Sequence, residues 1–107
     1  MYSRTVSFKL KAKSSEEFTR ILEGELIPLL RRQKGFEDAI SLIAPQHNEA
    51  LAISLWDQKE DADIYDRKTH PEILKALAKV IDGVPKVESF EVGNSTWHQI
   101  AASSAVQ

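Results

Sequence analysis

From Tyr2 to Lys13 apolar and polar positions alternate. Tyr2, Val6, Phe8, Leu10 and Ala12 share one face, and Ser3, Thr5, Ser7, Lys9, Lys11 and Lys13 the other. A period of two over this length predicts a strand with one apolar face. Arg4 breaks the pattern as a cation on the apolar side. The spacing then lengthens: Phe18, Ile21, Leu22, Leu26, Leu29 and Leu30 recur at helical intervals and form one stripe. Ser14 and Glu17 have the spacing of a capping box at its start. Pro28 predicts a kink, since it has no N–H to donate and its ring meets the carbonyl of Gly24. Arg31, Arg32 and Lys34 suit the helix C-terminal dipole, and Gly35 suits a left-handed cap.

Phe36 to Ala44 and Glu49 to Trp56 predict two strands joined by the turn residues Pro45-Gln46-His47-Asn48, a hairpin. Asp57 and Glu60 suggest a second capping box, opening a short helix to about Asp66. Thr69-His70-Pro71-Glu72 starts another helix, with Ile73, Leu74, Leu77, Ala78 and Ile81 as its buried stripe and Gly83 as its end. Val87 to Val92 reads as a fourth strand. The order β-α-β-β-α-β, with the second helix broken in two, predicts an α+β fold of the ferredoxin-like plan, an antiparallel four-stranded sheet with helices on one face. The 107 residues form one domain, with a core over about 2–92 and an extension over 93–107. Trp97 and His98 in that extension suggest docking onto something, and the last residues, 103–107, are expected to fray.

Helices cover only one face of such a sheet. In the third strand Leu51, Ile53 and Leu55 oppose Ala50, Ala52, Ser54 and Trp56; in the second, Phe36, Ile40 and Leu42 oppose Ala39, Ser41 and Ile43. Neither strand has a fully solvated face, so pairing of two sheets in a homodimer is the expected solution. Composition narrows the partners. A net charge of −2 with scattered basic residues supplies no electrostatic reason for nucleic acid or an anionic membrane. The chain has no cysteine, which removes disulfides, thiolate nucleophiles and cysteine-ligated metals. No apolar run approaches a membrane span and the first residues are not a signal peptide, consistent with a cytoplasmic location. His47 and Glu49 alone are a poor metal site, and no phosphate loop, dinucleotide motif or nucleophile elbow occurs, so neither cofactor nor metal is expected.

Pro28-Leu29-Leu30-Arg31 leading to Gln33-Lys34-Gly35-Phe36, Ile53-Ser54-Leu55-Trp56-Asp57 before an acidic helix, and His70-Pro71 opening the last helix together resemble the antibiotic biosynthesis monooxygenase (ABM) type of dimeric α/β-barrel protein. The resemblance covers about residues 2–92. It implies a homodimer whose two sheets close a barrel, and a pocket in each subunit between sheet and helices. Members include cofactor-free oxygenases of quinol-like polyketides and haem-degrading enzymes. The haem-degrading branch uses an Asn on the first strand, a Trp on the helix after the third strand and a His on the last helix. Here the first strand has no Asn, Tyr65 stands about where the Trp would be, and no His lies between Pro71 and Gly83. Haem degradation by that route is not expected.

Tyr65, His70 and Arg4 are the candidate catalytic residues, and Trp56 and Phe8 the candidate substrate-binding ones. The resemblance implies pocket roles for Trp56, Tyr65 and Arg4 by residue type, while His70 stands at a helix start, where the dipole disfavours the imidazolium and leaves a neutral base. Arg4 or Tyr65 would stabilise an enolate and His70 would take a proton; Trp56 would form an aromatic wall. Each has a plainer reading. Trp56 fills the core, Tyr65 packs on its helix, Arg4 forms an ion pair, and His70-Pro71 caps a helix. The acidic face of Asp57, Glu60, Asp61, Asp63 and Asp66 reads as solvated. Two functions follow: a cofactor-independent monooxygenase of an aromatic or quinol-like small molecule, or a non-enzymatic binding or stress-related module with a closed pocket. A haem binder without degradation is a third, weaker reading. A cavity of roughly 300 Å³ or more, lined by Trp56, Tyr65 and Arg4, favours the first.

Overall fold

The computed structural model describes residues 1–97; the expectations for His98 and the final residues lie outside them. Strand β1 (Tyr2–Lys9) is followed by helix α1 (Ser15–Ile21), a π-helical segment (Leu22–Leu26) and helix α2 (Ile27–Arg31). Strands β2 (Phe36–Ala44) and β3 (Glu49–Trp56) form the hairpin, with Asn48 left-handed at φ 52° in its turn. Helices α3 (Lys59–Lys68) and α4 (His70–Leu77) are the two pieces of the broken second helix, and strand β4 (Lys86–Glu91) completes the sheet. The order across the sheet is β2-β3-β1-β4, and the pairings are antiparallel. This is the α+β ferredoxin-like arrangement the patterning predicts.

In place of the kink expected at Pro28 the structure has a π-helical turn. The Ile27 N–H donates to Leu22 O, five residues back, so the turn ahead of the proline widens into a π-helix. The wider turn accommodates the missing Pro28 donor without breaking the helical stripe, and Phe18, Ile21, Leu22, Leu26 and Leu30 are all buried. Neither capping box forms. The Ser14 hydroxyl donates to Ala12 O instead of capping α1, and Gln58, not Asp57, precedes α3. Helix α4 also ends earlier than Gly83, at Leu77. Ala78 is exposed, while Val80 and Ile81 enter the core and Ile81 bridges to Leu10.

Packing of helices on the sheet buries Val6, Phe8, Phe18, Leu30, Trp56 and Leu77 among others. Phe36 departs from the alternation of its strand. A bulge between Phe36 and Asp38 sets Phe36 opposite Trp56, so the two rings meet edge to face at 5.6 Å instead of Phe36 joining Ile40 and Leu42. One extra residue in a strand reverses the facing of everything before it. On the uncovered face, Leu42 and Phe90 are exposed, 48 % and 52 %, whereas Ser3 and Leu55 are buried. Trp97 is 63 % exposed. Among the described residues no helix is long and apolar enough to cross a membrane.

Candidate functional site

Small side chains create the site. The helix-facing positions of β2 and β3 carry Ala39, Ser41, Ala52 and Ser54, which are too short to fill the gap beneath the helices. The π-helical segment places Leu22 and Leu26 over that gap, and α2 adds Leu30. The result is a cavity of about 160 Å³ between sheet and helices, with Thr19, Glu23 and Ile27 on its more exposed border. Arg4, Phe8, Tyr65 and His70 all line it. Trp56 does not, and the volume is about half of that expected from the sequence for a small-molecule pocket.

Trp56 stands one layer behind. It is fully buried, its Nε1–H donates to the Ser54 hydroxyl at 2.8 Å, and its ring lies 5.3 Å from that of Tyr65. Its donor is therefore spent within the protein. What Trp56 contributes is support: Phe36, Trp56 and Tyr65 form a continuous aromatic stack that holds the phenol ring in place. The Arg4 guanidinium stands over the same phenol ring, with its central carbon 5.2 Å from the Tyr65 ring centre.

Arg4 is 4 % exposed, and its charge is matched by Asp66, the last carboxylate of the acidic helix. Both Nε and Nη2 donate to Asp66 Oδ1, the Nε bond at 3.2 Å. The need for a partner follows from the burial of a cation. Which of the chain's 16 acidic residues supplies it does not, because the pairing spans 62 positions. The remaining polar groups are of a different kind. Tyr65 is 2 % exposed and His70 9 %, yet neither the Tyr65 hydroxyl nor the His70 imidazole makes a hydrogen bond to another described residue. Burial pushes the Tyr65 phenol up to about 12, against a smaller opposing pull from Arg4. Burial first, then Arg4, holds the His70 imidazole below its usual range. At neutral pH the site thus offers a protonated phenol and a neutral imidazole. Among the described residues no three His, Asp or Glu side chains gather as a metal site.

The buried phenol makes stability fall in alkali. The folded chain keeps its Tyr65 proton to about pH 12, whereas a free tyrosine loses it near 10. Between those values the unfolded chain binds fewer protons, so stability declines by about 2–3 kcal/mol as pH rises through that window, and not below it. Denaturation curves across this range, with Tyr65→Phe as control, should show a decline in the parent that the variant lacks. Equal slopes would contradict the buried phenol.

No family model matches the chain, and no curated protein sequence does. Solved structures are similar in fold. A monooxygenase of Streptomyces coelicolor, ActVA-Orf6, crystallised with nanaomycin D, superposes with a TM-score of 0.75 at 14 % identity over 88 % of both chains. SnoaB, a cofactor-independent oxygenase from Streptomyces nogalater, gives 0.73 at 14 % identity, covering 89 % of this chain and 95 % of that one. A protein of unknown function from Nitrosomonas europaea, NE2512, gives 0.74 at 15 % identity, covering 89 % and 91 %. Identities this low speak to architecture. The chain has the fold of the antibiotic biosynthesis monooxygenase-like proteins.

Proposed function

We propose that this protein binds a small aromatic molecule in the cavity beneath the π-helical segment and oxygenates it without a cofactor. The observation that carries the reading is the pair of buried residues Tyr65 and His70, which line an apolar cavity and whose hydroxyl and imidazole have no hydrogen-bond partner among the described residues. A buried donor or acceptor left unpaired is costly, and a ligand oxygen between them removes that cost. In the reaction, His70 accepts a proton from an activated C–H or O–H of the substrate, and Tyr65 donates a hydrogen bond to the enolate oxygen that forms. Arg4, already paired with Asp66, orients the Tyr65 ring and adds positive potential beside the developing charge. The substrate carbanion then reduces dioxygen. For a ring methylene this inserts one oxygen atom as a carbonyl and releases the other as water, so no external reductant is consumed. The similar folds of two named oxygenases support this reading.

Oxygen uptake with a panel of phenols, hydroquinones and anthrones tests it. Tyr65→Phe and His70→Gln are each expected to lower kcat by roughly 100-fold. No uptake above background with any compound would leave a non-catalytic binding module, a reading that the small cavity volume favours.

The assembly is part of the same proposal. The uncovered sheet face carries Ile40, Leu42, Leu51, Ile53 and Phe90, and a second copy placed against it would turn two open sheets into a closed barrel. Light scattering should give twice the 12.1 kDa of one chain at micromolar concentration. A monomer mass there would remove the barrel.

A further inference from the structure

The cavity's size and charge narrow its occupant, on the reading that it is a ligand site. About 150 Å³ of apolar space is enough for one benzene ring, and this cavity measures about 160 Å³. A second fused ring does not fit this volume beneath Leu22, Leu26 and Leu30, which are packed into the core at 4 %, 8 % and 2 % exposure, and would have to project past the border at Thr19, Glu23 and Ile27, where it gains less burial. The charges are just as restrictive. Arg4 is the one lysine or arginine among the lining residues, and its Nε and Nη2 are engaged by Asp66. Glu23 adds a carboxylate at the border. An anionic ligand would therefore enter beside two carboxylates and one cation already matched, losing its hydration without gaining a counter-charge.

We propose that the cavity selects a neutral, one-ring phenol, with its oxygen held by the Tyr65 hydroxyl and the His70 imidazole, over fused-ring and carboxylated counterparts. The order of affinity is diagnostic because it runs against general hydrophobicity. A larger aromatic ordinarily gains from its extra apolar surface, so a preference for the smaller ring reports a limit of space.

The experiment titrates the isotope-labelled protein with phenol, resorcinol, 2-naphthol and benzoate, following the amide resonances of Ala39, Ala52 and Ser54. Phenol or resorcinol should bind at least about tenfold more tightly than 2-naphthol or benzoate. Leu26→Ala, which enlarges the cavity, should bring 2-naphthol to within a few-fold of phenol. Ala52→Leu or, as a second filler, Ala39→Leu should abolish phenol binding while the remaining spectrum stays folded. Binding of 2-naphthol or benzoate to the parent protein as tightly as phenol would overturn the proposed class and leave the ligand site standing. No shift of the cavity amides with any of the four probes, or phenol binding that survives both filled variants, would overturn the site itself along with the proposal.

Discussion

Trp56→Ala should lower the unfolding free energy by about 3–5 kcal/mol, the range for deleting a large aromatic from a packed core. Trp56 has no exposed surface, so the whole indole leaves a void that Phe36 on one side and Tyr65 on the other cannot close without leaving their own contacts. The substitution also releases the Ser54 hydroxyl, which now accepts the indole N–H and donates to Arg4 O at 3.4 Å. Two readouts separate collapse from local loss. Chemical denaturation measures the stability. Ultraviolet titration of the phenol asks whether Tyr65 still ionises near 12 or returns towards 10 as water reaches the ring. Trp56→Phe keeps an aromatic in the stack and should cost less. A loss below about 1 kcal/mol for the alanine variant would contradict the packing described for this residue.

Gly35→Ala is expected to be damaging for a different reason. Gly35 adopts φ +80°, a left-handed conformation that costs a residue with a side chain about 1–2 kcal/mol. The added methyl would also stand 2.6 Å from Asp61 Cγ, and closer still to Oδ2. Asp61 is itself buried at 8 % on the first turn of α3, so the carboxylate has little room to yield. Together the two effects should exceed about 3 kcal/mol. A double-mutant cycle divides them. In an Asp61→Gly background, which also removes the Asp61 Cβ that would stand 2.9 Å away, the collision is gone and only the backbone cost of about 1–2 kcal/mol should persist. If Gly35→Ala costs the same in both backgrounds, the contact between the α2–β2 turn and α3 is not what restricts this position.

Gly35 also illustrates how much could be read in advance. Its left-handed cap followed from basic residues ending an apolar helical stripe, a local pattern. The collision with Asp61 joins positions that lie 26 apart in the chain, and nothing in the spacing announces it. Arg4 divides similarly. An arginine among the apolar positions of an alternating strand had to meet a carboxylate, an oxyanion or solvent, but its partner turned out to be Asp66, on a helix face that reads as solvated. Trp56 was legible as the end of a buried strand, whereas its role was decided by the bulge at Phe36–Asp38. That bulge brings Phe36 onto the same side and completes the stack behind Tyr65.

Sequence alone determined the element order, the departure from a regular α-helix ahead of Pro28, the hairpin and the ferredoxin-like plan. Each of these depends on periodicity and on backbone chemistry within a few residues. It also placed Arg4, Phe8, Tyr65 and His70 on the elements that enclose the cavity. Tertiary structure alone decided that the cavity exists, that it holds about 160 Å³, and that Tyr65 and His70 line it with side chains that have no hydrogen-bond partner among the described residues. The physical reason is that empty space is a difference between surfaces. Ala39, Ala52 and Ser54 are merely small in the sequence; they become a site only where the π-helical turn holds Leu22 and Leu26 at a distance from the sheet.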